Sequence, residues 1–323
     1  MFALGLMGSP RKKGNSAYLL SAFLKALEVK GAVTRTVVAA EKQILPCIGC
    51  TYCEKHGQCF QQTDDMAKEM YGLFRRADIV VAATPMYFYS APAQLKMVID
   101  RTQTLWSRKY RLGLRDPRAG CRAGFMLSLG ATKGKNLFEG INLTARYFFD
   151  AVSAEFTGWM GYRHIENPGD MAKHDTVLAD IAGEVGRLDS LFARKKIVFV
   201  CTDNACESQM AAAFAMSLAG NRVEAQSAGT TPAEKIDSEM AFAMAEKGID
   251  MAFCRPSAMD DVLSEIKPEI VVVMGRSQTG PRIPDAEQLT WDMAESGDRS
   301  PDGIRRLRDA IEVRVTGLIQ SLG

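Results

Sequence analysis

Residues 1–16 have the sequence MFALGLMGSPRKKGNS, and this stretch decides the fold of the first half of the chain. Residues 3–7 are an apolar run of strand length, and a polar loop over residues 8–16 follows them. Apolar side chains then recur at helical spacing on one face, at Leu19, Leu20, Phe23, Leu24 and Leu27. A strand, a loop and a helix in this order predict the first unit of a parallel α/β sheet.

The same alternation continues along the whole chain. Strands are expected at 33–39, 78–83, 124–129 and 155–159, with helices at 66–74, 93–105, 136–150 and 172–194. After the basic cluster at 194–196, strands at 197–200, 223–227 and 269–274 alternate with helices at 209–219, 238–247 and 301–322. The pattern predicts an α/β protein with two tandem doubly wound parallel-sheet domains, residues 1–194 and 195–323.

Length and composition narrow the class of protein. A chain of 323 residues with 47% apolar and 24% charged residues is typical of a soluble globular protein with two domains. A formal net charge of +2 gives no electrostatic reason to expect nucleic acid or a membrane as a partner. The apolar opening lacks the features of a signal peptide, and no stretch approaches the roughly 20 apolar residues of a membrane helix. We therefore expect a cytoplasmic protein.

Four cysteines lie within thirteen residues, at Cys47, Cys50, Cys53 and Cys59, with the spacing C-x2-C-x2-C-x5-C. Such closely packed thiols indicate a metal site or disulfides, and the reducing cytoplasm disfavours disulfides. Clustered spacing favours a 4Fe–4S cluster, because structural zinc more often uses two separated CxxC pairs. Zinc remains the alternative, and free or redox-active thiols are a third possibility.

Two loops at the carboxyl edge of the predicted sheet have ligand-binding character. The first offers hydroxyls of Ser9 and Ser16, the Asn15 amide and the Arg11 guanidinium, which suit a phosphate group at a helix N-terminus. The second, TPMYFYS at 84–90, offers aromatic side chains suited to a flat ring such as an isoalloxazine. The plain alternatives are a polar turn with a capped helix, and aromatic residues that cover the core.

The motifs GSPRKKGNS, PCIGCTYCEKHGQC followed by DDM, and TPMYFYSAPAQLKMVIDR occur here in this order. In these motifs, residues 1–190 resemble the flavodoxin-like NADPH-dependent FMN reductases, and among them the iron–sulfur flavoproteins. The resemblance implies FMN, with its phosphate in the first loop and its ring against Pro85, Met86, Tyr87 and Phe88. A third loop with Gly130 and Thr132 would border the flavin. It also implies that the four cysteines hold a 4Fe–4S cluster near the FMN, and that the protein forms homo-oligomers.

The electron donor is not decided by the sequence. We find no G-x-G-x-x-G fingerprint, so NAD(P)H would have to stack on the flavin itself. Arg108, Lys109 and Lys133 are candidates for contacting a 2′-phosphate, although exposed basic side chains are usually solvated. Another small molecule or a ferredoxin is an equally acceptable donor or acceptor.

The second half contains the segment IVFVCTDNACESQMAAAF, with SAGTTP at 227–232 and Trp291-Asp292 near the end. It resembles low-molecular-weight protein tyrosine phosphatases and arsenate reductases, which implies that Cys201 is a candidate catalytic nucleophile. The family loop is C-x5-R-S, but Glu207 stands at the arginine position. By the same resemblance, the general-acid position falls at 295–296. We therefore favour a phosphatase-like domain that has lost its catalytic activity. A reversible disulfide between Cys201 and Cys206 is a further hypothesis.

These features together predict an FMN-dependent oxidoreductase of the iron–sulfur flavoprotein type, fused to a phosphatase-like domain without activity. One alternative is a plain NAD(P)H:FMN or quinone reductase whose thiols bind no iron. Another is a redox sensor that binds a partner. A third is a working arsenate reductase or tyrosine phosphatase that uses Cys201.

Overall fold

The structure, a computed structural model, describes residues 1–275, 283–293 and 297–322. The chain divides into two compact units. The first comprises Met1–Gly113 and Gly120–Phe192, and the second comprises Leu114–Ala119 and Ala193–Gly323. Whereas the two predicted domains are each continuous in sequence, the second unit thus includes six residues from the middle of the first.

The first unit contains one parallel five-stranded sheet. Its strands are Phe2–Met7 (β1), Val33–Val38 (β2), Ile79–Pro85 (β3), Ala123–Leu129 (β4) and Glu155–Tyr162 (β5). Their order is β2-β1-β3-β4-β5, and every neighbouring pair is parallel. This is the flavodoxin-like order, in which the direction of winding changes between β1 and β3.

Helices connect these strands. They are Asn15–Val29 (α1), Tyr52–His56 (α2), Tyr71–Arg76 (α3), Ala93–Arg101 (α4), Gln103–Tyr110 (α5), Glu139–Ala151 (α6), Val177–Gly186 (α7) and Asp189–Phe192 (α8). The central strands β1, β3 and β4 are buried on both faces, as continuous apolar sequence predicts. Phe23 on α1 packs against Phe125 on β4, with ring centroids 4.9 Å apart.

The second unit contains a smaller parallel sheet in the order β7-β6-β8-β9. Its strands are Lys195–Cys201 (β6), Val223–Gly229 (β7), Ile270–Met274 (β8) and Glu287–Trp291 (β9). Its helices are Glu207–Ala219 (α9), Ser238–Glu246 (α10), Met259–Glu265 (α11) and Pro301–Ser321 (α12). The alanine-rich helix α9 is buried on nearly every side and packs against β7 and α12.

Both sheets confirm the predicted fold class. Some predicted helices differ from the observed ones in extent, and two observed elements were not predicted. The single helix at 172–194 is instead α7 and α8, which are separated at residues 187–188. The single helix at 93–105 is divided at Thr102 into α4 and α5. Strand β9 and helix α11 were not predicted at all. No helix in the described parts of the chain is long and apolar enough to cross a membrane.

Candidate functional site

The loop after β1 leaves the carboxyl edge of the first sheet at the switch point. The Gly8 N–H donates to the Ala83 carbonyl at the end of β3, over 2.7 Å. A Cβ atom at Gly8 would lie 2.6 Å from Leu95 Cδ2, so only glycine fits there. Ser9 is buried, and its Oγ accepts a hydrogen bond from the Arg11 N–H at 3.1 Å. The loop is therefore held tightly against β3 before it enters α1.

The predicted phosphate ligands differ in what they contact. Ser16 is buried in the first turn of α1, and the preceding N-cap residue Gly14 offers no side chain. The Asn15 amide is already used elsewhere. Its Oδ1 accepts from the N–H groups of Gly169 and Met171 at 3.1 and 3.2 Å, and its Nδ2 donates to Asn167 O at 2.8 Å. Asn15 thus ties the loop to the 167–171 segment, while Arg11 is exposed and available.

The loop after β3 forms a tight hairpin at Tyr87–Ser90. Tyr87 and Ser90 exchange both backbone hydrogen bonds, at 2.9 and 3.0 Å. The two central residues, Phe88 and Tyr89, have φ angles of 50° and 64°. Two positive φ angles define a type I′ turn, which normally carries Asn and Gly. Aromatic residues in this conformation are strained, and such strain is concentrated at functional sites. The Phe88 side chain is fully exposed at the tip.

The loop after β4 meets this hairpin. Met86 N–H donates to Leu129 O at the end of β4, at 2.7 Å. A Cβ atom at Gly134 would lie 2.4 Å from the Tyr89 Oη, so the two loops are in close contact. Gly130 is buried and Thr132 is exposed. Three loops, one with the exposed Arg11 and one with exposed aromatic rings, thus lie at one edge of the sheet, and these groups fit a flavin mononucleotide.

The cysteine quartet lies on the loop between β2 and α3. All four thiols are free; Cys47 and Cys50 are exposed, and Cys53 and Cys59 are half-buried. The buried Ser107 on α5 donates a hydrogen bond to Cys53 Sγ at 3.4 Å. Among these fully described residues, no three sulfurs lie within 4.8 Å of one another. Four thiols on one short segment are a donor set that suits an iron–sulfur cluster or a zinc ion.

A buried ion pair fastens both ends of this cysteine loop. Arg101, 1% exposed, pairs with the buried Asp64 and donates to Leu45 O at 2.8 Å and to Gln61 O at 3.1 Å. Asp64 in turn accepts from the Leu45 N–H at 3.0 Å. Burial acts to raise the Asp64 pKa, but the hydrogen bonds from Arg101 and Leu45 outweigh it and lower that pKa. We call these two residues the Asp64–Arg101 clamp.

Two of the basic residues considered for a 2′-phosphate have other contacts. Arg108 donates to the Gly57 carbonyl in the cysteine loop at 2.9 Å. Lys109 forms an ion pair of 2.6 Å with Asp150. Arg108 therefore supports the cysteine loop and Lys109 joins α5 to α6, which differs from the role considered for them.

In the second unit, the loop after β6 leads directly into α9. Cys201 is buried, and its Sγ lies 2.9 Å from Ser208 Oγ and accepts from the Asn204 N–H at 3.2 Å. Burial raises the pKa of the Cys201 thiol to about 11, and the charge of Glu207 acts in the same direction. This thiol is thus protonated near neutral pH, unlike an activated nucleophile.

Glu207 is the first residue of α9 and is 8% exposed. Its carboxylate lies 3.7 Å from the Arg299 guanidinium, which also pairs with Asp237 at 3.8 Å. Burial raises the Glu207 pKa. Cys206, also buried, is a free thiol, so its disulfide with Cys201 stays a prediction. The predicted general-acid position at 295–296 lies outside the described residues.

Some of these features were not evident from sequence reasoning. Asp64 was predicted only as part of a helix N-terminus, although the DDM and VIDR motifs contain both members of the clamp. The partnership of Glu207 with Arg299 spans 92 positions in the chain, and local patterns do not reveal such pairs.

The fold and the loops define a chain with a flavodoxin-like domain and a phosphatase-like domain. The family model of NADPH-dependent FMN reductase matches residues 1–126, and that of low molecular weight phosphotyrosine protein phosphatase matches residues 196–323. Each half of the chain thus matches one of these two family models.

Individual relatives agree with this division. An iron–sulfur flavoprotein of Methanocaldococcus jannaschii is 36% identical over 107 residues, covering 32% of this chain and 53% of that protein. One from Archaeoglobus fulgidus is 43% identical over 101 residues, covering 31% of this chain and 45% of that protein. The chain thus spans about half the length of these relatives. A candidate arsenate reductase of Halobacterium salinarum is 32% identical over 129 residues, covering 38% of this chain and 89% of that protein.

Proposed function

We propose that the first domain is an FMN-dependent oxidoreductase that also carries a 4Fe–4S cluster on Cys47, Cys50, Cys53 and Cys59. The observation that carries the proposal is the Asp64–Arg101 clamp, which fixes both ends of a four-thiol loop in a domain with the flavodoxin-like strand order. The names of the iron–sulfur flavoprotein relatives support it. When bound, the flavin exchanges one or two electrons and the cluster exchanges one at a time.

The chain's own residues would bind and orient these groups. Backbone N–H groups of the loop after β1, with the Ser9 and Ser16 hydroxyls and Arg11, would hold the phosphate. The strained hairpin at 87–90 and the loop at Gly130 and Thr132 would border the ring. On the cysteine loop, Ser107 would hold the Cys53 sulfur by a hydrogen bond.

The electron partner is proposed to dock on the cysteine loop. Leu45, Ile48 and Phe60 flank the quartet and are 50%, 61% and 63% exposed, which is unusual for large apolar residues. A ferredoxin or a second copy of the chain would cover them, whereas NAD(P)H or another small molecule would act at the flavin. The homo-oligomer is part of the same proposal.

The second domain is proposed to lack phosphoryl-transfer activity. A guanidinium at position 207 would attract an oxyanion, whereas Glu207 repels it. One unit charge at 4 Å contributes about 4 kcal/mol at an effective dielectric constant of 20, so the reversal of sign costs an anion roughly 8 kcal/mol. Arg299 already pairs with two acidic side chains, Glu207 at 3.7 Å and Asp237 at 3.8 Å.

The decisive experiment is anaerobic purification with iron, acid-labile sulfide and FMN counted per chain. Four iron, four sulfide and one FMN are expected, with oxidation of NAD(P)H or reduced ferredoxin by the holoprotein. Cys53→Ser should lose iron and keep FMN, while the matched control Cys121→Ser, a buried thiol outside the quartet, should keep both. Well-folded protein without iron and FMN would refute the proposal.

A further inference from the structure

The loop after β6 gathers three side chains of the metal-ligand type. Among the residues that the structure describes, Cys201, Asp203 and Glu207 are the one group of three such side chains whose ligand atoms all lie within 4.8 Å of one another. Cys201 Sγ and Asp203 Oδ1 are 3.7 Å apart. A tetrahedral zinc ion, with bonds of about 2.3 Å to sulfur and about 2.1 Å to oxygen, holds these atoms roughly 3.6 Å apart. The spacing therefore fits one bound ion.

The surrounding hydrogen bonds favour the anionic forms of these ligands. The Asn204 N–H donates to Cys201 Sγ at 3.2 Å, and the Ala205 N–H donates to Asp203 Oδ1 at 3.1 Å. In a loop that binds oxyanions, such N–H groups point at the anion. Here two of them are used by the thiol and the carboxylate, and contacts of this kind orient metal ligands.

Ser208 completes this support. Asn204 Nδ2 donates to Ser208 Oγ at 2.8 Å, so the Ser208 hydroxyl hydrogen is left to donate to Cys201 Sγ, 2.9 Å away. Asn204 is itself fixed, because its Oδ1 accepts from the Ser257 N–H at 2.8 Å. The sulfur is thus held in place by a buried polar network, and its S–H donates to Asp203 Oδ1 on the side that a metal ion would occupy.

Glu207 gives an independent indication of a cation. The Glu207 side chain is 11% exposed, and the hydrogen bond that its carboxylate accepts in the described ranges comes from its own backbone N–H. Arg299 stays at 3.7 Å, beyond hydrogen-bonding distance, and its side chain is half exposed. It can turn to Asp237 without breaking a hydrogen bond to Glu207. Burying an ionised carboxylate costs free energy, and the distant Arg299 offsets little of that cost. A cation bound to the carboxylate would offset more of it.

We propose that Cys201, Asp203 and Glu207 bind one divalent transition-metal ion of the zinc type. A thiolate ligand disfavours magnesium and calcium, which prefer oxygen ligands only. Three protein ligands leave a fourth position for water or a substrate atom. The replacement of an arginine by Glu207 thus converts an oxyanion loop into a cation site. This site is independent of the flavin and the cysteine quartet.

The test uses the full chain with its iron–sulfur cluster in place, freed of adventitious metal by a chelator and then titrated with Zn²⁺. We expect one tightly bound zinc per chain, whose X-ray absorption spectrum shows a single sulfur neighbour with oxygen neighbours. Cys201→Ser should remove the sulfur signal, and Glu207→Gln should weaken binding by more than about tenfold, the range for losing even an outer ligand partner. Cys206→Ser, the matched neighbouring thiol, should retain the zinc.

Glu207→Arg provides a second, opposite readout. It should abolish zinc binding and give measurable binding of inorganic phosphate to the same loop. If Cys201→Ser does not fold, zinc binding is measured with Asp203→Asn and Glu207→Gln instead. Zinc with four sulfur neighbours, zinc binding unchanged in Glu207→Gln, or no zinc binding at all would each overturn the proposal.

Discussion

At position 207 a single side chain sets the sign of the charge that the loop after β6 presents. The same residue acts on its neighbour, because the Glu207 charge adds to burial in raising the Cys201 pKa. A nucleophilic thiol in such a loop needs the opposite environment, with a cation or a helix N-terminus that lowers its pKa. Burial and the Glu207 charge together therefore keep the Cys201 thiol protonated at neutral pH, and Glu207 is expected to lower the affinity of the loop for an oxyanion.

The rate at which Cys201 is alkylated should depend directly on the raised pKa of its thiol. With a pKa of about 11, the metal-free chain at pH 7 holds roughly a hundredfold less thiolate at Cys201 than an ordinary thiol of pKa 9. Alkylation by iodoacetamide, followed by mass spectrometry, should accelerate about tenfold per pH unit until near pH 11. Glu207→Gln should move the whole profile to lower pH. Rapid labelling of Cys201 at pH 7 would contradict this picture.

Backbone strain at Phe88, in the hairpin at 87–90, is a second effect that belongs to a single residue. Phe88 has a φ of 50°, and a left-handed conformation costs a bulky residue about 1–2 kcal/mol. Phe88→Gly should therefore raise the free energy of unfolding of the flavin-free protein by about 1 kcal/mol and weaken FMN binding, because an aromatic contact is lost. Calorimetry and FMN titration measure the two effects.

The control for this variant is Asn136→Gly. Asn136 also has a positive φ, 61°, but asparagine tolerates that region, so the gain in stability should be small. Equal gains at both positions would show that Phe88 is not unusually strained. Unchanged FMN affinity in Phe88→Gly would remove the hairpin from the flavin site.

At the level of elements, the cysteine loop depends on α4 more than on its own sequence. Arg101 at the end of α4 holds the carbonyls of Leu45 and Gln61, which precede and follow the quartet. Asp64→Asn would leave the buried Arg101 charge without its partner, and such changes cost about 3–5 kcal/mol. We expect the variant to lose iron faster in the presence of a chelator and to unfold at lower temperature.

An exposed ion pair on the same helix is the matched control. Lys96 and Asp100 are paired four residues apart on α4, and both side chains are nearly half exposed. Asp100→Asn should therefore cost only about 0.3–0.5 kcal/mol and leave the iron in place. Iron release at the same rate in Asp64→Asn and Asp100→Asn would show that the clamp does not support the cluster.

The elements also show what sequence reasoning can reach. Apolar strands such as β3 and β8 were predictable because burial on both faces leaves a continuous apolar run. Strand β9 was missed because EQLTW is half exposed at a sheet edge and carries little of that signal. The cysteines stood out by local spacing. The Asp64–Arg101 clamp and the pairing of Glu207 with Arg299 could not be recognised from sequence, because they join residues that are distant in the chain and come together only in the folded protein.

At the scale of the whole molecule, the second unit is built from two separate segments of the chain. Residues Leu114–Ala119 belong to that unit although they lie between α5 and β4 in sequence. The Arg115 N–H donates to Gly248 O at 2.7 Å, and the Asp250 N–H donates to Arg115 O at 2.9 Å. Arg118 Nη2 donates to Ala225 O on β7 at 3.2 Å. The phosphatase-like fold of this protein is therefore completed by residues encoded within the flavodoxin-like half.

This connection predicts that the second unit is weakened when it is cut out at its sequence boundary. A fragment of residues 195–323 lacks all three hydrogen bonds, each contributing about 0.5–1.5 kcal/mol, and should unfold at a lower temperature than the same unit in the full chain. In the full chain, Arg118→Ala should destabilise the second unit, whereas Lys267→Ala, from an ion pair with both side chains more than three-quarters exposed, should not. Differential scanning calorimetry compares them. A fragment as stable as the unit in the full chain would mean that the six residues merely lie on its surface, and their pairing with Gly248 and Asp250 would then contribute nothing to folding.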